Sequence, residues 1–297
     1  MMTDFRGELA ALTAAFLWAG ASFIYARLGK QLSPLWLNWL KSSLAIGFIV
    51  LTMGWMPDRS DQLSWSNFGL LWLSGAIGIG FGDSVFFAAL TCLGARRALL
   101  LEAIAPPLSA LLARVFLDEQ LSLPAWIGIF TTVLGVAWVV VERTPDQAPL
   151  QLRRGVILGL FAALAQASGA VLSRSALAAT LVSPLWSSLI RLIAAVMVLL
   201  PVLVMQRPTW QMMQPLRSKR FLAGLLIAAF TGTYLGIWLQ QTSLKYTATG
   251  IAQALTATSP LFIIPIALLT GEKISLRAMV GALIALVGIG LLFSSSS

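Results

Sequence analysis

The tetrapeptide Ser-Pro-Leu-Trp occurs twice in this chain, at residues 33–36 and again at residues 183–186. Each copy opens a long apolar run, and a basic residue follows at the same offset, Lys41 in the first run and Arg191 in the second. A charge inside a segment of hydrocarbon length is expensive, so a matched pair of such charges is unusual. The sequence therefore predicts two copies of one unit, 150 residues apart.

The composition places both units in a membrane. Charged residues make up 10% of the 297 residues and apolar residues 58%, whereas a soluble domain carries about 25% charge. Apolar runs of about 20 residues recur along the chain, and the short alternating segments of an outer-membrane barrel are absent. Ten transmembrane segments are predicted, at residues 9–28, 34–55, 68–90, 98–117, 124–141, 155–177, 184–205, 221–244, 250–269 and 276–293.

The repeat extends through the fourth and fifth segments of each unit. Five pairs of residues share an offset of 153: Pro107 with Pro260, Glu119 with Glu272, Ser122 with Ser275, Gly128 with Gly281 and Gly135 with Gly288. In both units the proline precedes the glutamate by twelve residues. Five helices per unit is an odd number, so the second unit must enter the membrane from the opposite side. We therefore expect an all-α polytopic fold of two inverted five-helix repeats, with residues 1–141 in the first, 142–152 as a linker and 153–297 in the second. Such a pair suits alternating access around a midplane site.

Several functions are disfavoured by what the chain contains. It has no histidine and a single cysteine, Cys92, so neither a metal nor a disulfide is expected, and no cofactor motif is present. The four glycines at residues 75, 78, 80 and 82 lack the Gly-Lys-Ser/Thr of a phosphate loop, and close helix packing explains them better. The net charge of +9 is attributed to loops on one side of the membrane rather than to nucleic-acid binding.

These motifs resemble the EamA family of the drug/metabolite transporter superfamily. The resemblance rests on the run 16–20 (Phe-Leu-Trp-Ala-Gly), the early cation of the second helix, the proline of the fourth helix and the acidic end of that helix, at Asp118-Glu119 and Gly271-Glu272. It implies a ten-helix transporter that works without ATP, often an exporter of amino acids or related metabolites, and no enzyme. Two positions depart from the pattern: Gln166 aligns with Trp18, and Asp118 with Gly271.

Four charged residues inside apolar runs are the first candidates for function. Lys41 and Arg191 fall about two turns into their helices; they either face the cavity and hold an anionic group or extend their side chains to the lipid headgroups. Asp83 and Glu102 are candidates for proton coupling, because a carboxylate in an apolar setting is protonated more easily than in water. Alternatively, both carboxylates only neutralise Lys41, Arg96 or Arg97.

A second set of residues could line the substrate site. Tyr234, Trp238 and Gln241 recur at helical spacing, and Trp18 and Tyr25 share a face of the first helix. Ordinary helix packing remains the alternative for each of them. The complete set of candidate substrate-binding residues is Trp18, Lys41, Gln166, Arg191, Tyr234, Trp238, Gln241 and Gln253.

The most favoured function is secondary active transport of a small metabolite, such as an amino acid, across the plasma (inner) membrane. Exchange of sugar phosphates or nucleotide sugars, an intramembrane lipid-modifying enzyme and a non-transporting scaffold are the alternatives. The partners expected are a small-molecule substrate and the lipid bilayer, and the chain could be a monomer or a homodimer. Counting Lys and Arg gives 13 in the loops after odd-numbered helices and 5 on the opposite side. The charge count therefore places both termini outside, whereas the family resemblance places them inside.

Overall fold

The computed structural model describes residues 5–29, 31–56, 63–93, 98, 101–141, 151–178, 180–205, 210–262 and 276–295, and within these ranges all regular structure is helical. Ten membrane helices follow one another. The first unit contains α1 (Arg6–Leu28), α2 (Pro34–Trp55), α3 (Trp65–Ser74, continued by Gly75–Gly82 and Asp83–Leu93), α4 (Ala105–Phe116) and α5 (Leu123–Val141). The second contains α6 (Leu152–Leu177), α7 (Pro184–Met205), α8 (Lys219–Ala228, continued by Ala229–Leu235 and Gly236–Tyr246), α9 (Thr249–Thr256) and α10 (Leu276–Ser295).

The third helix of each unit widens into a π-helix at its centre. In α3 the π segment is Gly75–Gly82, and in α8 it is Ala229–Leu235. The two segments begin 154 residues apart and end 153 apart, so they occupy equivalent places in the two units. π-Helical turns are rare, and they occur frequently at functional sites.

The fourth helix of each unit is interrupted before its proline. Turns replace helix at residues 103–104, ahead of Pro107, and at residues 257–258, ahead of Pro260. Proline has no N–H to donate to the carbonyl four residues earlier, and its ring clashes with that carbonyl, so the helix cannot run through regularly. Both units therefore carry a discontinuous helix near mid-span, as transporters with inverted repeats often do.

The fifth and tenth helices pack against each other through their matched glycines. A Cβ atom added at Gly128 would lie 3.1 Å from the carbonyl oxygen of Gly288, and one added at Gly135 would lie 2.7 Å from the carbonyl oxygen of Gly281. The residue numbers rise along α5 as they fall along α10, so the two helices are antiparallel. Because α5 and α10 are equivalent helices, their antiparallel pairing means that the two units are inverted.

The hydropathy and the exposed surface agree with a membrane setting. Among the described residues, seven helices are long and apolar enough to span a bilayer, and two further apolar helices, Ala105–Phe116 and Met279–Ser295, are shorter. Large apolar side chains on the outside of the bundle, such as Leu51, Leu134 and Leu286, are more than half exposed. The predicted all-helical, ten-helix polytopic fold is confirmed.

Candidate substrate and coupling site

An ion pair joins α2 to α3 inside the bundle. Lys41 Nζ lies 3.1 Å from Asp83 Oδ2, and the two side chains are only 15% and 23% exposed. The ammonium group also lies 5.7 Å from the ring centre of Tyr25 and 5.9 Å from that of Phe87. Aromatic faces at this distance attract a cation, so Lys41 is held by one carboxylate and two rings.

The π segment of α3 positions Asp83. Asp83 is the first residue after Gly75–Gly82. One carbonyl of that segment, on Ile79, accepts a 3.4 Å hydrogen bond from Nδ2 of the fully buried Asn38. Asn38 precedes Lys41 by three residues on α2, so both side chains lie on the same helix face and reach α3 together.

Arg191 lies behind the same segment. Its side chain extends from α7 and the residue is 2% exposed. A Cβ atom at Gly75 would collide with the Arg191 backbone, and one at Gly78 would lie 3.4 Å from Arg191 Nη2. The glycines therefore make room for the guanidinium group. Among the described residues, no hydrogen-bond partner is found for Arg191 Nε or Nη1, although Asp83 is near enough to attract the group electrostatically.

Glu102 and Gln166 form the next layer. The side chain of Gln166 hydrogen-bonds to the Glu102 carboxyl group, and Asp83 repels that group. The Gln166 Oε1 atom lies 3.8 Å from the Cβ position of Gly78, which Arg191 also faces. Glu102 Oε2 is buried, and the described part of the chain offers it no hydrogen-bond partner. Arg191 and Gln166, the partner of Glu102, thus both approach Gly78, and both Arg191 and Glu102 keep atoms without a described hydrogen-bond partner.

The four charges of this cluster can balance. Lys41 and Arg191 contribute two positive charges, and Asp83 and Glu102 contribute two negative charges when both are ionised. Protonation of Glu102 leaves one net positive charge. In a low-dielectric interior a net charge is strongly disfavoured.

Aromatic residues connect this cluster to α8. Tyr25, beside Lys41, shares a 2.7 Å hydrogen bond between its hydroxyl and Thr233 Oγ1. Trp18 Nε1, two turns earlier on α1, donates a 2.7 Å bond to the carbonyl oxygen of Gly232. Both partners, Thr233 and Gly232, belong to the π segment Ala229–Leu235. The face of α1 that carries Trp18 and Tyr25 therefore docks on the part of α8 that is equivalent to Gly75–Gly82.

The other candidate lining residues have partners of their own. The Tyr234 hydroxyl lies 2.7 Å from Thr52 Oγ1, and its ring centre lies 5.9 Å from that of Trp238. Gln241 Oε1 accepts a 2.8 Å bond from Ser187, while Gln253 Oε1 accepts a 3.5 Å bond from Gln240. These contacts join α8 to α2, α7 and α9. None of the candidate assignments is tested by the contacts alone, and all of them stay predictions.

Sequence reasoning missed Asn38 and the pairing of Gln166 with Glu102. Asn38 is polar and lies three residues before a predicted intramembrane cation, which is the one signal that could have identified it. The association of Gln166 with Glu102 joins α6 to the residues ahead of α4, and no local pattern encodes such a contact. Arg96 and Arg97, considered as partners of the two carboxylates, lie outside the described residues.

Two inverted five-helix units with discontinuous helices and buried charges at mid-span define a membrane transporter. The model of the EamA-like transporter family matches residues 5–141 and 153–294. The chain belongs to this family, and it is a transporter rather than an enzyme. A search of curated proteins found no match. A solved crystal structure covers 97% of this chain and 98% of its own with a TM-score of 0.79 at 15% identity, which shows a shared fold alone.

Proposed function

We propose that the chain exports a small carboxylate-bearing metabolite, such as an amino acid, across the plasma membrane by alternating access and proton coupling. Lys41 and Arg191 bind the carboxylate, with Trp18, Gln166, Tyr234 and Trp238 shaping the surrounding site. Asp83 or Glu102 carries the coupling proton. Export is the direction that the family resemblance implies.

The observation that carries the proposal is the burial of Arg191 with two nitrogen atoms, Nε and Nη1, for which no described residue accepts a hydrogen bond. Leaving a buried donor unpaired is costly, and leaving a buried charge unpaired is costlier still. A carboxylate can bond bidentately to one edge of the planar guanidinium group and so supply an acceptor to one of these two nitrogens. A bound carboxylate would therefore stabilise a group that the described residues leave without full hydrogen bonding.

Glu102 is the better of the two coupling candidates. Asp83 already has a counter-ion in Lys41 at 3.1 Å. The buried Oε2 of Glu102 lacks a described partner, and a glutamine is the group known to bond to its carboxyl. A zwitterionic amino acid suits the cluster when Glu102 is ionised, since its ammonium group needs an acceptor. A proton on Glu102 removes that acceptor, so proton and amino acid exclude each other.

Phosphorylated substrates fit the cluster less well. A phosphate monoester carries close to two negative charges at neutral pH. The two cations are offset by two carboxylates here, and one cation is already engaged in an ion pair. A bound phosphate would therefore leave the buried site with excess negative charge. The chemistry favours a singly charged carboxylate group.

The test is a flux assay in proteoliposomes with a panel of labelled amino acids, with and without a pH gradient. The variants are Arg191→Gln for substrate binding, and Asp83→Asn and Glu102→Gln for coupling. Exposed residues supply matched controls: Arg220→Gln for the lost cation and Asp118→Asn for the lost carboxylate.

We expect Arg191→Gln to abolish uptake of the label while Arg220→Gln transports as the wild type does. Glu102→Gln should keep exchange and lose accumulation driven by the gradient. If Asp83→Asn shows that pattern instead, Asp83 is the coupling residue. Equal transport by both carboxylate variants and the wild type would remove the coupling assignment. Absence of any amino-acid flux would remove the substrate class, and sugar phosphates would be tested next.

A further inference from the structure

A second buried ion pair lies far along the chain from the first, at one end of the bundle. Arg174 Nε donates a 2.7 Å hydrogen bond to Glu119 Oε1, and the side chains are 17% and 13% exposed. The other carboxylate oxygen, Glu119 Oε2, accepts a 2.8 Å bond from the backbone N–H of Thr249. Glu119 thus holds an arginine of α6 and the first N–H of α9 at once.

Arg174 also forms hydrogen bonds with α8. Its Nη1 donates two 2.8 Å hydrogen bonds, to the carbonyl oxygens of Leu244 and Lys245 in the last turn of α8. The side chain of Lys245 in turn donates a 2.7 Å bond to the carbonyl oxygen of Val182, just before α7. Charge-assisted hydrogen bonds of this kind are about twice as strong as neutral ones.

All of these groups lie on one face of the membrane. Successive helices cross in opposite directions, so α4, α6 and α8 end, and α9 begins, on the side where α1 begins; we call this side the terminal face. Glu119 belongs to the first unit, whereas Arg174, Leu244, Lys245 and Thr249 belong to the second. Alternating access moves one unit against the other. Opening the terminal face would therefore separate Glu119 from the groups that it binds.

We propose that Glu119 and Arg174 are positioning residues that latch the terminal face closed, so that the resting transporter presents its site to the opposite face. Other contacts on the terminal face agree with closure. A Cβ atom at Gly250 of α9 would collide with Ala110 of α4, and one at Gly7 of α1 would collide with Thr247. The latch thus spans a region where the two units already touch.

The repeat shows that the opposite face lacks the same arginine. Units align at α1 and α6 with an offset of 148, as Arg6-Gly7 and Arg154-Gly155 do, and the position equivalent to Arg174 is then Ala26. Alanine supplies no donor for a carboxylate, and the neighbouring Arg27 is exposed. The glutamate equivalent to Glu119 is Glu272, which lies outside the described residues. Because Arg174 has an alanine as its counterpart in α1, the latch as described lowers the free energy of the conformer closed at the terminal face.

The test follows the opening of the terminal face directly and requires no substrate. Ser243 is fully buried and lies one residue before the Leu244 carbonyl that Arg174 binds. In full-length protein with Cys92→Ala, a Ser243→Cys reporter is exposed to a maleimide reagent only when this face opens. The measured quantity is the labelling rate in detergent and in proteoliposomes.

Three variants each remove different bonds of the latch. Glu119→Gln weakens the ion pair with Arg174. Arg174→Gln removes the guanidinium group that bonds to Glu119 and to the carbonyl oxygens of Leu244 and Lys245. Thr249→Pro deletes the N–H that donates to Glu119, together with the buried hydroxyl of Thr249, and leaves both charges of the latch in place. Thr249 is the first residue of α9, where proline is well tolerated. Arg114→Gln and Asp118→Asn alter exposed residues at the end of the same helix and serve as controls.

We expect labelling about tenfold faster in each latch variant, the ratio that corresponds to one charge-assisted hydrogen bond lost from the closed state. Glu119→Gln and Arg174→Gln both disrupt the Glu119–Arg174 ion pair. The labelling rate of the double variant should therefore rise by less than the product of the two single-variant ratios. The controls should label as the wild type does.

Unchanged labelling in Thr249→Pro and in Glu119→Gln would overturn the latch and leave Glu119 as a helix cap alone. If a glutamine variant misfolds, Thr249→Pro still decides the matter, because proline at that position preserves the helix. Faster labelling without any amino-acid flux would support the latch and remove the substrate class proposed above. Amino-acid flux with unchanged labelling in the latch variants would support the substrate class and overturn the latch.

Discussion

The indole Nε1 of Trp18 donates a 2.7 Å hydrogen bond to the carbonyl oxygen of Gly232, inside the π segment of α8. The equivalent carbonyl in the other unit, 153 residues earlier, belongs to Ile79, and it accepts a bond from Asn38. Both carbonyl oxygens thus accept a hydrogen bond from a side chain of a neighbouring helix. Since lipid offers no hydrogen bonds, a carbonyl freed by an irregular turn must find a partner within the protein.

Replacing Trp18 with phenylalanine should test this requirement. The Trp18→Phe variant keeps an aromatic ring but leaves the Gly232 carbonyl without its donor. We expect a loss of about 1–3 kcal/mol in the free energy of unfolding, measured by thermal or denaturant unfolding in detergent. Trp65→Phe changes a tryptophan that is 89% exposed and should have no comparable effect. Equal stabilities of the two variants would show that the Gly232 bond contributes nothing.

The sequence predicted the helices well because their signals are local. Apolar length, prolines and matched glycines identified ten segments, and the predicted limits of the second and seventh segments, 34–55 and 184–205, are those of α2 and α7. The π segments were not predicted. An extra residue per turn leaves the hydrophobic pattern nearly unchanged, and in α3 the glycines that accompany it indicate only close packing. The π segments hydrogen-bond to side chains of α1 and α2, and such long-range contacts are not contained in a local pattern.

Two neighbouring glycines of α10 provide a controlled test of the inverted packing. A Cβ atom at Gly288 would collide with the backbone and side chain of Thr132 on α5, whereas one at Gly290 would meet nothing within 4 Å. Overpacking a close helix contact costs about 1–3 kcal/mol. Gly288→Ala should therefore lower the melting temperature in detergent, and Gly290→Ala should leave it unchanged or raise it slightly, since alanine favours helix. Equal melting temperatures would contradict the close pairing of α5 and α10.

The end of α4 explains one difference between the repeats. Asp118 has φ of 52°, and it is the one non-glycine residue with positive φ in the described ranges. Its counterpart in the second unit is Gly271, a residue free to adopt this conformation. The hydrogen bond from Glu119 N–H to the Ala113 carbonyl, 3.3 Å, closes the turn and aims Glu119 at the latch.

Asp118→Gly should consequently be tolerated, whereas Asp118→Val should destabilise the protein. A β-branched residue in the left-handed region costs about 1–2 kcal/mol, and it would also displace Glu119. Unfolding in detergent measures the first effect, and the Ser243→Cys labelling rate measures the second. If valine matches glycine in both measurements, backbone strain at this turn is irrelevant to the latch.

The candidate site was predictable in its charges but not in its arrangement. The cost of intramembrane charge identified Lys41, Asp83, Glu102 and Arg191 from sequence alone. Which cation pairs with which carboxylate depends on how α2, α3 and α7 cross, and the π segment fixes that geometry by turning Asp83 toward Lys41. The burial of Arg191 likewise depends on two glycines of a different helix.

The charge count of the loops predicts that both termini lie outside the membrane. A single cysteine at Ser294, in the last turn of α10, would report this in cells that express a Cys92→Ala background. Labelling by an impermeant maleimide in intact cells is expected from the charge count. Labelling only after the membrane is permeabilised would instead support the orientation that the family resemblance implies. The terminal face would then lie on the cytoplasmic side of the membrane and not on the outside.

The Lys41–Asp83 pair should separate stability from transport. Lys41→Met or Asp83→Leu alone leaves a charge without its partner inside the bundle. We expect each to cost roughly 2–3 kcal/mol, at the lower end for buried pairs because the side chains keep some exposure. The double variant restores neutrality and should recover most of that stability in detergent unfolding. Amino-acid flux in proteoliposomes should stay absent, since the group that binds the carboxylate is gone. A double variant that transports would show that the pair serves the fold alone, and one that stays as unstable as the singles would show that the two charges are not coupled.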